Sequence, residues 1–272
     1  MRIAGRLERN IELLKYCGLS SLKRFTRAGS PITPVSMKGV GPLHLRLGDS
    51  DLATFAQVFT KREYDLAATG DAQQRITERY RAIVDAGRVP IIVDAGANVG
   101  AASLWFMRAF PEAHVIAIEP EPQNAEVLRL NLAGSPRATV LEAALAGASG
   151  KVSLAGEGLS WGVQTVRSET GGLSAITMDQ ALATVANGDL FLAKIDIEGF
   201  ESDLFDGDVA WIDRAAVIIV EPHDWLFPGR GTSRTFQAAM GKRNFEIFIS
   251  GENLIYVAAD PFNSSASLQP AN

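Results

Sequence analysis

The chain has one cysteine in 272 residues, Cys17. That excludes an internal disulfide framework and any zinc site built from several thiolates. Long apolar runs are also missing; none approaches the roughly 20 residues that span a bilayer. Positive charge is not in excess, since 26 Lys and Arg stand against 31 Asp and Glu for a net charge of −5. Nucleic-acid binding through bulk charge is therefore not expected, although composition leaves room for a local basic patch. The N-terminus alternates charged and apolar residues (Arg2, Arg6, Glu8, Arg9, Glu12, Lys15) and lacks the apolar stretch of a secretion signal. What remains, at 47% hydrophobic and 21% charged, is a globular protein long enough to bury its own core, expected in the cytoplasm.

Three stretches organise the chain. Residues 1–75 read as an N-terminal extension, a cap, lid or dimer element. Leu7, Ile11, Leu14 and Cys17 fall at helical spacing, and two short strands follow around Gly39-Val40-Gly41-Pro42. Next comes a helix capped by Asp49, Ser50 or Asp51. Residues 76–262 form the core. Apolar runs at Pro90–Val93, His114–Ile118, Ala138–Glu142, Leu190–Ile197 and Ala216–Val220 alternate with helical stretches, which predicts a mostly parallel sheet with crossovers. Phe245–Ile249 and Leu254–Val257 are joined by four residues, too few for a parallel crossover, so they predict an antiparallel hairpin. Residues 263–272 are rich in Ser, Pro and Asn and read as a frayed tail.

The first core strand ends in Asp94-Ala95-Gly96-Ala97-Asn98-Val99-Gly100. Glycines at such a turn let a ligand approach the backbone, and the following helix directs free N–H groups at it. The spacing is Gly-x-Asn-x-Gly, not the Gly-x-Gly-x-x-Gly of dinucleotide sites, which lowers the odds of NAD or FAD. Asp94 would repel a diphosphate but attract an ammonium group. Glu119, at the end of the second strand, is placed to accept hydrogen bonds from a ribose. An adenosine with a cationic amino-acid tail, S-adenosylmethionine, satisfies all of these.

The segments VDAGANVGAASLWFMRAFPEAHVIAIEPEPQNAEVLRLNL, LEAALAGASGKVSL, LAKIDIEGFESDLF and VIIVEPHDW occur in that order. Together they resemble the FkbM family of S-adenosylmethionine-dependent methyltransferases, over roughly residues 38–258. The resemblance implies a class I methyltransferase fold, Rossmann-like, and O-methylation of small molecules or sugars. It implies that Asp94, Gly96, Asn98 and Gly100 hold the donor's methionine end, that Glu119 takes the ribose, and that Ala143 and Ala144 lie near the adenine.

For the chemistry, strand alternation puts Lys194, Asp196 and Glu198 on one side of the fourth core strand. Glu221, His223 and Asp224 end the next. Histidine is the natural base near neutral pH. His223 is therefore expected to accept the acceptor's proton, with Asp196, Glu198 or Glu221 orienting it; the alternative is a histidine that only ties down a loop. For Lys194 the alternative is a structural pair with a carboxylate. The same cluster offers Mg²⁺ or Mn²⁺ oxygen ligands and one imidazole, but acidic crowding without metal is common and a resident ion is not expected. Trp161 and Trp225 fall in loops beside the site, as acceptor contacts or as loop packing, while Trp105 reads as core. The expected reaction is methyl transfer to a hydroxyl of a small metabolite or saccharide. An NAD(P)-dependent oxidoreductase, or a non-catalytic binder of the same fold, are the alternatives.

Overall fold

The computed structural model describes residues 11–21, 32–46, 49–155 and 164–259. Leu7, Trp161 and the tail 263–272 lie outside them. Helix α1 covers residues 11–21. A hairpin of β1 (Ile32–Met37) and β2 (Gly41–Arg46) follows, then α2 (Asp51–Thr60) and α3 (Ala72–Asp85). The helical spacing of α1 is real, but the face assigned from sequence is wrong. Leu13 and Cys17 are buried, whereas Ile11 and Leu14 are exposed, because the helix lays its Leu13–Cys17–Ser21 stripe on the protein. Ser50 caps α2, without a side-chain bond to the helix.

The core alternates β3 (Val89–Ala95), α4 (Ala101–Ala109), β4 (His114–Ile118), α5 (Pro122–Leu132) and β5 (Ala138–Leu141). Then come short strands β6 (Ala144–Leu145), β7 (Gly150–Ala155), β8 (Gln164–Arg167) and β9 (Leu173–Ile176). The chain continues with α6 (Met178–Leu182), β10 (Gly188–Ile195), α7 (Glu201–Asp206), β11 (Val217–Val220), α8 (Arg234–Met240), β12 (Phe245–Ser250) and β13 (Asn253–Ala258). The main sheet has the order β12-β13-β11-β10-β3-β4-β5. Its β11-β10-β3-β4-β5 pairs are parallel, and β13 runs antiparallel to both β11 and β12. This is the expected Rossmann-like, mostly parallel sheet with its antiparallel terminal hairpin.

Strands β3 and β10 are covered on both faces, which is why they read as unbroken apolar runs. The hairpin, α2 and α3 bury Leu43, Leu45, Phe55, Ile76 and Ile83 in one cluster with Ile92, Val115 and Phe191 of the sheet. The N-terminal extension therefore shares its core with one face of the sheet. The other face packs against α6, α7 and α8. Strands β6, β7, β8 and β9 form a separate four-stranded sheet, where sequence reading had placed no strand. They run for only two to six residues, too short to show a clear alternating pattern. No helix among the described residues is long and apolar enough to cross a membrane.

Candidate active site

The chain leaves β3 toward β4 on one side and later returns to β10 on the other, so the strand order reverses between β3 and β10. Ligands of open α/β sheets bind at that reversal, beyond the carboxyl ends of the strands. Here the register sets Asp94 against Lys194 and Ala95 against Ile195, which brings the first glycine turn against the acidic turn after β10.

Gly96 adopts φ +75°, and a Cβ there would stand 1.7 Å from the carbonyl oxygen of Asp196. Gly100, at φ +90°, faces Leu128 at 2.8 Å. Gly96 is required by packing within the protein and also lines the cleft, whereas Gly100 faces the Leu128 side chain and not the cleft, a correction to the expectation that it clears space for a ligand. Asn98 takes a left-handed φ of +48°, which directs its N–H to Oε2 of Glu119 at 2.8 Å. Oε1 of Glu119 accepts the Glu121 N–H at 2.9 Å. Burial lifts the Glu119 carboxyl to about 7, against the lowering effect of these donors and of Asn124. Asn124 in turn accepts from Arg46 at 2.8 Å, and Asn131 of α5 bridges His44 of β2 to the Val99 carbonyl. The hairpin thus braces the turn.

A cleft opens here. Gly96, Asn98, Glu119, Asn124, Ala144, Leu154 and Thr165 line it together with Asp196, Ile197, Glu198 and Phe200. Asp94 and Gly100, expected to hold the donor's methionine end, do not line it, and neither does Ala143. Asp94 is fully buried, accepts from Ser103 Oγ at 2.6 Å and pairs with Lys194 at 3.3 Å. Its carboxylate anchors the turn from beneath. Ala143 packs into the core beside Ile118 and Leu145.

Lys194 is the buried ion-pair partner that the structural alternative described. It reaches Asp94, Asp196 at 3.1 Å and the Gly96 carbonyl at 2.8 Å. Burial alone would lower its pKa, but Asp196 and Asp94 hold it well above the ordinary lysine value. Strand alternation carries through Asp196, whose N–H still bonds the Ala95 carbonyl and whose carboxylate meets Lys194, but it does not deliver Glu198. A left-handed Glu198, at φ +52°, followed by Gly199 at φ +89°, turns that carboxylate back instead. A non-glycine residue in this region is strained and persists only where its surroundings hold it.

His223 is 2% exposed. Its Nδ1 lies 2.8 Å from Oε1 of Glu201, while Nε2 faces Asp196 and Glu198 at 3.6 Å and Glu221 at 3.7 Å. Burial works to lower the imidazole pKa, yet the Glu201 bond and the charges of Glu201, Asp196 and Glu198 raise it to about 9. Burial and the Asp196 charge push Glu198 up to about 7 and Glu221 to about 8. His223 does not line the cleft. That counts against the expectation that it takes the acceptor's proton. Glu201 was missed from sequence; its signal is a carboxylate in the first turn of a short helix directly after the acidic strand end. Trp225 is 62% exposed. Trp105 is half-buried, donating to the Tyr64 carbonyl at 3.0 Å and meeting Phe59 edge-on.

Comparisons with known proteins find methyltransferases. The methyltransferase sdnD of Sordaria araneosa is 52% identical over 44 residues, 16% of this chain and 17% of that protein. The methyltransferase FkbM structure from Methylobacillus flagellatus is similar at TM-score 0.42 and 15% identity, over 62% of this chain and 43% of that one. The O-methyltransferase TomG from Streptomyces achromogenes, solved in complex with SAM, gives TM-score 0.40 and 16% identity over 78% and 91%. The chain thus spans less than half the length of the first two. A family model, the methyltransferase FkbM domain, matches residues 94–237, from the buried aspartate of the first turn to Gln237 of α8. More than half of the chain lies in that match, and the chain belongs to the FkbM methyltransferase family.

Proposed function

We propose that the protein moves a methyl group from S-adenosylmethionine to a hydroxyl of a small molecule or saccharide. The observation that carries this reading is a single cleft lined by two unlike turns, Gly96–Asn98–Glu119 and Asp196–Glu198. Glu119 suits a ribose because its Oε2 accepts one backbone N–H and keeps a second lone pair, while Oε1 is held by the Glu121 N–H and the Asn124 amide. Ala144, Leu145 and Leu154 offer an apolar wall for a purine. When bound, the donor supplies an activated methyl on a sulfonium, so little covalent work is left to the protein.

The protein's contribution is alignment, which lowers the barrier by several kcal/mol when the acceptor oxygen is held in line. Glu198 lines both the cleft and the carboxylate–histidine cluster, so it is the group positioned to take the hydroxyl proton. His223 and Glu201 hold that cluster from behind. The test is calorimetry with S-adenosylmethionine and NAD separately, followed by incubation with isotope-labelled donor and candidate acceptors and mass spectrometry of the labelled product. Saturable donor binding with label transferred to a hydroxyl supports the reading. NAD binding with no response to the sulfonium ligand overturns it.

A further inference from the structure

Asp94, Asp196, Glu198, Glu201 and Glu221 converge at the ends of β3, β10 and β11, and the lysine set among them is Lys194. Lys194 spends its charge on Asp94 and Asp196 and does not reach Glu198 or Glu221. Half-buried carboxylates left in excess of their cations are costly.

The imidazole of His223 is the second, independent feature. Its ring is almost wholly buried and locked by the Glu201 bond at Nδ1, which aims Nε2 at the acidic turn. A donor nitrogen in such a place normally settles on one carboxylate at about 2.8 Å. Here it stands 3.6, 3.6 and 3.7 Å from oxygens of three different side chains, beyond hydrogen-bond reach of all of them. Atoms bound at about 2.1 Å to one cation stand about 3.0–3.6 Å apart, depending on the angle between them. Ligand atoms of Asp196, Glu221 and His223 all fall within 4.8 Å of one another. A carboxylate bonded to the far nitrogen of a ligating histidine is the usual arrangement behind a metal, because it fixes the tautomer and the ring plane.

We propose that Asp196, Glu221 and Nε2 of His223 bind a divalent cation of the Mn²⁺ or Mg²⁺ type, with Glu201 as the residue that positions the histidine. Two carboxylates and a single imidazole favour these harder ions over zinc. The ion's role rests on the methyl-transfer reading: beside the cleft, it holds the acceptor oxygen and weakens its O–H bond. The proton passes to the Glu198 carboxylate, the oxygen forms a bond to the donor methyl, and the carbon–sulfur bond breaks to leave a neutral thioether.

The experiment uses the full chain stripped with chelator and titrated with MnCl₂. Binding removes the sharp six-line electron paramagnetic resonance signal of free Mn²⁺, and three-pulse echo modulation of the bound ion shows an imidazole nitrogen. His223→Ala and Glu221→Gln, neither of which lines the cleft, weaken Mn²⁺ binding by roughly tenfold or more. A free-ion signal undiminished when wild-type protein is in molar excess over MnCl₂ overturns the proposal. So does a bound ion without the nitrogen signal, a result that depends on no variant folding. S-adenosylmethionine binding is measured on the same samples. Absent donor binding with the nitrogen signal intact would remove the methyl-transfer reading and leave the ion site standing.

Discussion

Nδ1 of His223 lies 2.8 Å from Oε1 of Glu201, and both side chains are 2% exposed. A charge-assisted bond in so dry a place fixes the ring, and its loss strands a buried partner. Glu201→Ala is expected to cost about 3 kcal/mol of stability, read as a lower denaturant midpoint, because breaking a buried pair leaves a group uncompensated. Glu201→Gln should fold with a smaller loss and lower turnover while leaving the donor Kd unchanged. His223→Ala should lower kcat by loosening the carboxylate cluster that holds Glu198, with donor affinity intact. An unchanged rate in both variants would remove this pair from the mechanism.

Glu119 makes donor binding depend on pH. Its carboxyl is raised to about 7, and ribose hydroxyls bind the ionised form best. Affinity for S-adenosylmethionine should therefore tighten as pH rises from 6 to 8, with proton release visible as a buffer-dependent calorimetric heat. The ligand-free fold should show the opposite trend. The unfolded chain releases this proton near the ordinary carboxylate value, so stability falls as pH rises from about 4.5 toward 7. Glu119→Ala should weaken donor binding by about 1–3 kcal/mol and flatten the pH response. A Kd that ignores both pH and substitution would contradict the ribose role.

Gly96 tolerates no side chain. A Cβ would sit 1.7 Å from the backbone oxygen of Asp196, at a φ that penalises any L residue. Gly96→Ala should lose several kcal/mol or fail to fold. Gly172, with nothing within 4 Å of its Cβ position, provides the control: Gly172→Ala should melt within a few degrees of the wild type.

Lys194 is the counter-charge beneath the glycine turn, pairing Asp94 at 3.3 Å and Asp196 at 3.1 Å. Lys194→Met should cost about 3–5 kcal/mol, because two carboxylates lose their partner. Adding Asp94→Asn should recover part of that loss. Double-mutant unfolding curves measure the coupling, and strict additivity would show that the pair is energetically independent.

Much of this protein is legible in the order of its residues. The unbroken apolar runs of β3, β10 and β11 identify buried parallel strands, since only strands covered on both faces lose their polar alternation. The four-residue link after Ile249 forces the terminal hairpin. Glu119, Asp196 and Glu198, which line the cleft, stand out in the sequence because they follow strand ends, where ligands of this sheet type bind.

What the sequence could not decide is where each side chain goes once the strands are set side by side. Asp94 and Gly100 look like ligand contacts in one dimension, yet Asp94 is buried under Lys194 and Gly100 faces Leu128. Glu198 reaches the cluster through a left-handed turn that no alternation encodes. Glu201 becomes the anchor of His223 only because α7 packs beneath the end of β11. The small second sheet needed tertiary contacts to become visible, its buried positions being Ala144, Ala146, Val152 and Ala175 around Phe200. Periodicity in a chain reports which faces are dry; the pairing of strands distant in sequence decides which charges meet, and charge proximity in a low-dielectric site sets the chemistry.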